Sequence, residues 1–147
     1  MKKDVEIRSA TMDDIERIAQ LIAPFVQAKK LLPRTEQELK DLTRNGFVAV
    51  VGNEIVGFSA VDVYSRKLAE LVCLAVADER QREGIGKRLV QECVDRARSL
   101  NVLEIMAISA SDAFLKECGF DYSLPDQKRA LFYQPLSTDD QANSKSD

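Results

Sequence analysis

One carboxylate, Glu70, interrupts an otherwise apolar run from residue 68 to 76, Leu-Ala-Glu-Leu-Val-Cys-Leu-Ala-Val. A glycine-bearing turn, Gln81-Arg82-Glu83-Gly84-Ile85-Gly86, follows it. A carboxylate among apolar neighbours tends to hold its proton to higher pH, which suits a general base working near neutrality. The same pattern also fits a strand-end glutamate that faces water or pairs with Arg66 or Lys67. The turn has the composition of an anion site. Backbone N–H groups at a helix start point outward, the helix dipole favours negative charge there, and glycines let a ligand approach the backbone closely. Arg80, Arg82, Lys87 and Arg88 add positive charge nearby. An ordinary tight loop explains the two glycines equally well, because GxG alone is a weak signal.

Several chemistries are excluded by what is missing. The chain has no histidine, which removes every Ser-His or Cys-His nucleophile system. Cys73, Cys93 and Cys118 form no CxxC pair, so no metal site is expected. Cys73 has apolar strand neighbours and reads as a packed residue rather than a nucleophile. The turn is neither GxxxxGK[ST] nor GxGxxG, which argues against ATP and dinucleotides. The formal charge of -3 argues against nucleic acid. The tail 137–147 carries three Asp and one Lys, hence -2 of that total. No apolar stretch approaches membrane-spanning length and no signal-peptide core follows Met1, so a cytoplasmic protein with reduced thiols is expected.

The elements that must position these residues follow from periodicity. Residues 5–8 alternate as a strand. Thr11 with Asp14 caps a first helix bearing Ile15, Ile18, Ala19 and Ile22, which Pro24 should bend or end. Thr35 with Glu38 opens a second helix through about residue 42. Strands at 47–51 and 54–63 flank the hairpin signal Gly52-Asn53, and 68–76 reads as a central strand. Ile85, Leu89, Cys93, Ala97 and Leu100 then lie along one helical stripe. A strand is expected at 102–108, a short helix at 113–118 closed by Gly119, and a last strand at 130–136. The order βααβββαβαβ is a mixed α/β domain over 1–136, with a disordered polar tail at 137–147.

Gln81, Gly84 and Gly86 resemble the Gln/Arg-x-x-Gly-x-Gly/Ala signature of the GNAT family of N-acetyltransferases. Strand, turn and helix come in that family's order, and 114–120 resembles its closing helix and turn. The resemblance implies an acyl-CoA N-acyltransferase fold with a splayed pair of central parallel strands. It implies acetyl-CoA as co-substrate, its pyrophosphate held by Gln81, Arg82, Glu83, Gly84, Ile85, Gly86 and Lys87, with Phe114 also among the cofactor contacts. Backbone groups of Leu74, Ala75 and Val76 would pair with the pantetheine arm, and the thioester would lie near Cys73 and Leu74. The family often uses a tyrosine four residues before the closing glycine as its acid. Leu115 stands there in this chain.

Leu31-Leu32-Pro33-Arg34-Thr35, the run 69–76, and Leu124-Pro125 with Lys128 and Tyr133 look like the acetyltransferase domain of N-acetylglutamate synthases. That resemblance implies Glu70 as base and Ser109 as acid. It places Leu32 and Arg34 where the amino acid is held, and a guanidinium suits a carboxylate there. From pattern alone, Arg34 is also compatible with a surface position before a helix cap. The subfamily carries a further arginine after its tyrosine, whereas this chain reads Tyr133-Gln134-Pro135-Leu136 with no later arginine. Lys128 or Arg129 is then the candidate replacement. The expected acceptor is the amine of a small molecule, foremost the α-amine of an amino acid such as glutamate. Another amine, a protein N-terminus or a non-catalytic acetyl-CoA-binding module are the alternatives. Neither nucleic acid nor membrane is expected as a partner. Acetyltransferases of this size are often homodimers, a state these residues do not fix.

Overall fold

The computed structural model describes residues 4–109, 112–122 and 131–136, and among these described residues lie five strands and four α-helices. The strands are β1 (Glu6–Ser9), β2 (Gly46–Val51), β3 (Glu54–Val63), β4 (Leu68–Val76) and β5 (Glu104–Ala107). The helices are α1 (Ile15–Gln27), α2 (Glu36–Leu42), α3 (Ile85–Ser99) and α4 (Asp112–Glu117). The sheet order is β1-β2-β3-β4-β5. Its first three pairings are antiparallel and β4–β5 is parallel. That is the mixed α/β arrangement expected, with α3 as the crossover that parallel neighbours require.

Each sheet face buries its own apolar layer. Ile15, Ile18 and Ile22 of α1 and Leu39 and Leu42 of α2 pack on Val48, Phe58, Ala60 and Val72. Ile85, Leu89, Val90, Cys93 and Ala97 of α3 pack on Ala49, Val61, Ala69 and Leu71 on the opposite side. The expected stripe of α3 is therefore the buried one, except that Leu100 at its end is 37% exposed. Pro24 lies inside α1, which continues to Gln27 instead of ending at the proline.

The last expected strand does not form. Residues 131–136 lie outside the sheet, and Leu131, Phe132, Tyr133 and Leu136 are exposed. Pro135 has no N–H to give to a ladder and restricts Gln134 before it, which weakens the segment as a strand. Lys128, Arg129 and Ala130 fall outside the described residues, as does the tail 137–147.

The entry to α1 is held by charge. Asp14 is 1% exposed. Its carboxylate accepts from Arg8 at 2.8 and 2.9 Å, from the Thr11 N–H at 2.8 Å and from Arg17 at 3.3 Å. The Arg8 hydrogen bonds, helped by Thr11, bring the Asp14 carboxyl from 3.8 down to about 2 in spite of burial. A lowered folded pKa means stability that is present above the unfolded value and lost as pH falls through the folded one. Asp14→Asn is expected to cost about 2 kcal/mol at neutral pH in urea unfolding. Its deficit against the parent protein should shrink as pH is lowered from about 4 to about 2.

Candidate functional site

β4 leaves its parallel neighbour halfway along its length. It pairs with β5 only from Leu68↔Glu104 to Leu71↔Ala107, while the strand itself runs on to Val76. The pairing with β3 shifts at the same level, where Phe58↔Ala75 is followed by Ala60↔Val72. Cys73 and Leu74 therefore face the single residue Ser59, and Cys73 takes a left-handed φ of 58°. This is a β-bulge, which bends the bulged strand and raises its twist. Ser59, fully buried, donates from Oγ to the Val72 carbonyl at 3.5 Å beside the bulge. Beyond Leu71, alternate N–H and C=O groups of β4 face the gap opened by the divergence.

The gap leads to the start of α3. Gly84 stands before the helix with φ 82°, and Arg82 is also left-handed at 68°. First-turn N–H groups of α3 have no intrahelical partner and are available to an anion. The exposed side chain of Gln81 folds back onto the end of β4. It donates to the Val76 carbonyl at 3.1 Å and to Asp78 at 3.2 Å, tying the loop to the strand it leaves. Ile85 is buried in the core, so only its backbone is available to a ligand. Glu83 pairs with Arg80 at 3.5 Å, and Arg88 donates to the Val5 carbonyl at 3.2 Å. Of the four cations near the turn, Arg82 and Lys87 remain exposed without a described ion pair. Phe114 of α4 closes over the helix start, its ring 3.3 Å from where a β-carbon on Gly86 would stand.

The fold places the chemistry-bearing side chains on the α1/α2 face. Glu70 and Asp62 are cross-strand partners, on the face shared with Val72 and Ala60. Glu70 is half-buried and accepts a hydrogen bond from the Tyr64 phenol at 2.5 Å. Its surroundings are thus polar on one side, not the apolar enclosure expected from the run it interrupts. Arg34 arrives from the segment before α2, where Thr35 and Glu38 form the expected capping box. Its guanidinium lies 4.0 Å from Glu38, and its Nε is buried with no hydrogen-bond partner among the described residues. The same guanidinium draws down the Cys73 thiol, although burial dominates and leaves that thiol's pKa raised. A cleft of about 290 Å³ has Arg34, Glu38, Asp41, Arg44 and Asp62 in its wall, one strand away from Glu70.

Other expected residues stand further apart. Ser109 is exposed two positions after the end of β5, where the strand pair opens. Leu32 is 71% exposed between α1 and α2. Burial raises the Cys93 thiol to about 12 and also raises Cys118. Leu115 is buried in the core at the position where the family often has its tyrosine acid. Sequence reasoning missed Tyr64 and the bulge. Tyr64 was within reach of register counting, since a tight turn brings a strand-end side chain back to the opposing strand.

The profile of the acetyltransferase (GNAT) family matches residues 12–120 of the chain. An uncharacterized N-acetyltransferase of Chlorobaculum tepidum is 27% identical over 117 residues, which are 80% of this chain and 76% of that protein. An amino-acid acetyltransferase of Ralstonia nicotianae is 32% identical over 133 residues, 86% of this chain but 29% of that protein. Among solved structures, N-acetylglutamate synthase from Neisseria gonorrhoeae, complexed with coenzyme A and N-acetyl-glutamate, superposes with a TM-score of 0.76 at 25% identity. That alignment covers 99% of this chain and 33% of the synthase. The chain thus spans about a third or less of these two amino-acid-acetylating relatives.

Two substitutions separate backbone from packing at the α3 start. A β-carbon at Gly84 meets nothing within 4 Å, so Gly84→Ala should cost about 1 kcal/mol through backbone strain alone. Gly86→Ala pushes on the Phe114 ring, and urea unfolding should show its cost shrinking in a Phe114→Ala background.

Proposed function

We propose that this chain, which belongs to the acetyltransferase (GNAT) family, transfers acetyl from acetyl-coenzyme A to the α-amine of a small amino acid. The observation that carries the reading is the free length of β4, which begins just beyond Glu70 and Leu71 and leads to a glycine-bearing helix start. An extended thiol arm and a diphosphate fit such a groove. Backbone groups of Cys73, Leu74, Ala75 and Val76 would pair with the arm as an added strand would. The N–H groups from Arg82 to Lys87 would hold the diphosphate, with Gly84 open to it and Gln81 bracing the loop from behind. Phe114 would cover the edge of that site.

Acetyl-coenzyme A, when bound, supplies an activated acetyl thioester. The residues of the chain supply the rest. Glu70 takes a proton from the acceptor ammonium, so that a neutral amine is presented for direct attack on the thioester. The left-handed backbone at Cys73 orients the N–H groups of the bulge where carbonyl charge develops. Ser109, at the mouth of the strand divergence, hydrogen-bonds the departing sulfur. Arg34 pairs with the carboxylate of the acceptor, its unpartnered Nε being a donor already desolvated. Leu32 borders that end, and Lys128 or Arg129 provides further positive charge. Glutamate is the first acceptor to try, on the resemblance to N-acetylglutamate synthase. The many carboxylates near Arg34 make amino acids with neutral side chains the next.

Thiol release from acetyl-coenzyme A, followed with a panel of amino acids, tests this reading. Glu70→Gln is expected to lower kcat by about a hundredfold or more. Arg34→Ala should raise the acceptor's KM by about tenfold or more while leaving the KM for acetyl-coenzyme A unchanged. If acetyl-coenzyme A raises the melting temperature but no amine accelerates thiol release, the chain is a binding module instead.

A further inference from the structure

Glu70 has a partner built into its own hairpin. Tyr64 follows the end of β3, and its phenol donates to Glu70 Oε1 at 2.5 Å. The turn between them is closed by the N–H groups of Tyr64 and Ser65, which both donate to the Leu68 carbonyl at 3.1 Å. The Lys67 N–H adds a bond of 3.0 Å to Ser65 Oγ. Two residues beyond Leu68, the chain presents Glu70 to the returning ring. Tyr64 is 54% exposed, so the ring is held by the turn and by its hydroxyl, not by core packing.

The neighbours of Glu70 make that hydroxyl consequential. Asp62 is its cross-strand partner on β3, a like charge in a position where like charges repel. Met106 on β5 opposes it from the other side and carries no charge. Arg34, with Glu38 of α2 behind it, lies near enough to act on both Tyr64 and Cys73. Among the described residues, Tyr64 is the one that donates a hydrogen bond to Glu70.

We infer that Tyr64 is a positioning residue for Glu70: its hydroxyl fixes Oε1, offsets the repulsion from Asp62, and leaves Oε2 to take the proton of the acceptor ammonium. The inference rests on the reading of Glu70 as the base. In the step itself, the N–H bond of the ammonium breaks, its proton moves to Oε2, and the electron pair stays on nitrogen for the attack. Tyr64 keeps its own proton throughout. The Glu70 hydrogen bond, together with burial, raises the phenol to about 12.

Removing the hydroxyl removes the donor that fixes Oε1 against the repulsion from Asp62. Tyr64→Phe is expected to lower kcat by about tenfold, the usual scale for one hydrogen bond to a charged group. The loss should fall on kcat alone, with the KM for acetyl-coenzyme A and the melting temperature unchanged. In a Glu70→Gln background, Tyr64→Phe should add nothing. If Glu70→Gln disables the enzyme but Tyr64→Phe leaves kcat intact, the positioning role is overturned and the base survives. If Glu70→Gln retains full activity, the reading of Glu70 as base falls, and the role of Tyr64 falls with it.

Discussion

The arrangement depends on backbone hydrogen bonds that one strand does not make. Among the described residues, β4 is bonded on both sides up to Leu71, and on one side only from there to Val76. Buried strands rarely leave such groups open, because an unpaired polar group away from water is costly. Here the opening has a local cause. The extra residue at Cys73, in left-handed conformation, turns β4 from β5 at the level where their pairing stops. Everything else in the site is arranged around the resulting gap.

The two sheet faces divide the work. On one face, α3 packs through Ile85, Leu89, Cys93 and Ala97, which holds its N-terminus at the far end of the free β4 edge. Phe114 and Gly86 fit together there because a glycine admits the ring. On the other face, α1 and α2 bring the segment carrying Arg34 over Asp62, Glu70 and Cys73. An anion-seeking helix start and a carboxylate-bearing strand end thus sit at opposite ends of one groove. A donor with a diphosphate at one end and a thioester at the other matches that layout.

The electrostatics near Glu70 are more crowded than an apolar strand suggests. Asp62, Glu38 and Asp41 share the neighbourhood with Arg34 and Arg44. Arg34 is also partly engaged by Glu38. Arg34 is thus a cation set among several carboxylates. This crowding is the reason a donor such as the Tyr64 hydroxyl matters, since it steadies one carboxylate beside another.

Much of this was legible in the residues themselves. The caps at Thr11 and Thr35, the Gly52-Asn53 hairpin, the α3 stripe and the glycine turn are local patterns, and local hydrogen bonding and periodicity fix them whatever the rest of the chain does. The strand Leu68–Val76 with its lone carboxylate could be read in the same way. What needed the tertiary structure were relations between segments distant in sequence or set by register. These are the bulge opposite Ser59, the bond from Gln81 back to the Val76 carbonyl, the capture of Arg80 and Arg88, and the meeting of Arg34 with Cys73. The pairing of Tyr64 with Glu70 spans only six positions, yet it too depends on how one turn closes. Sequence determines which side chains are available and how each element is built. The alignment of one strand against another, where a one-residue slip exchanges the faces, is decided only when the sheet packs between its two helical layers.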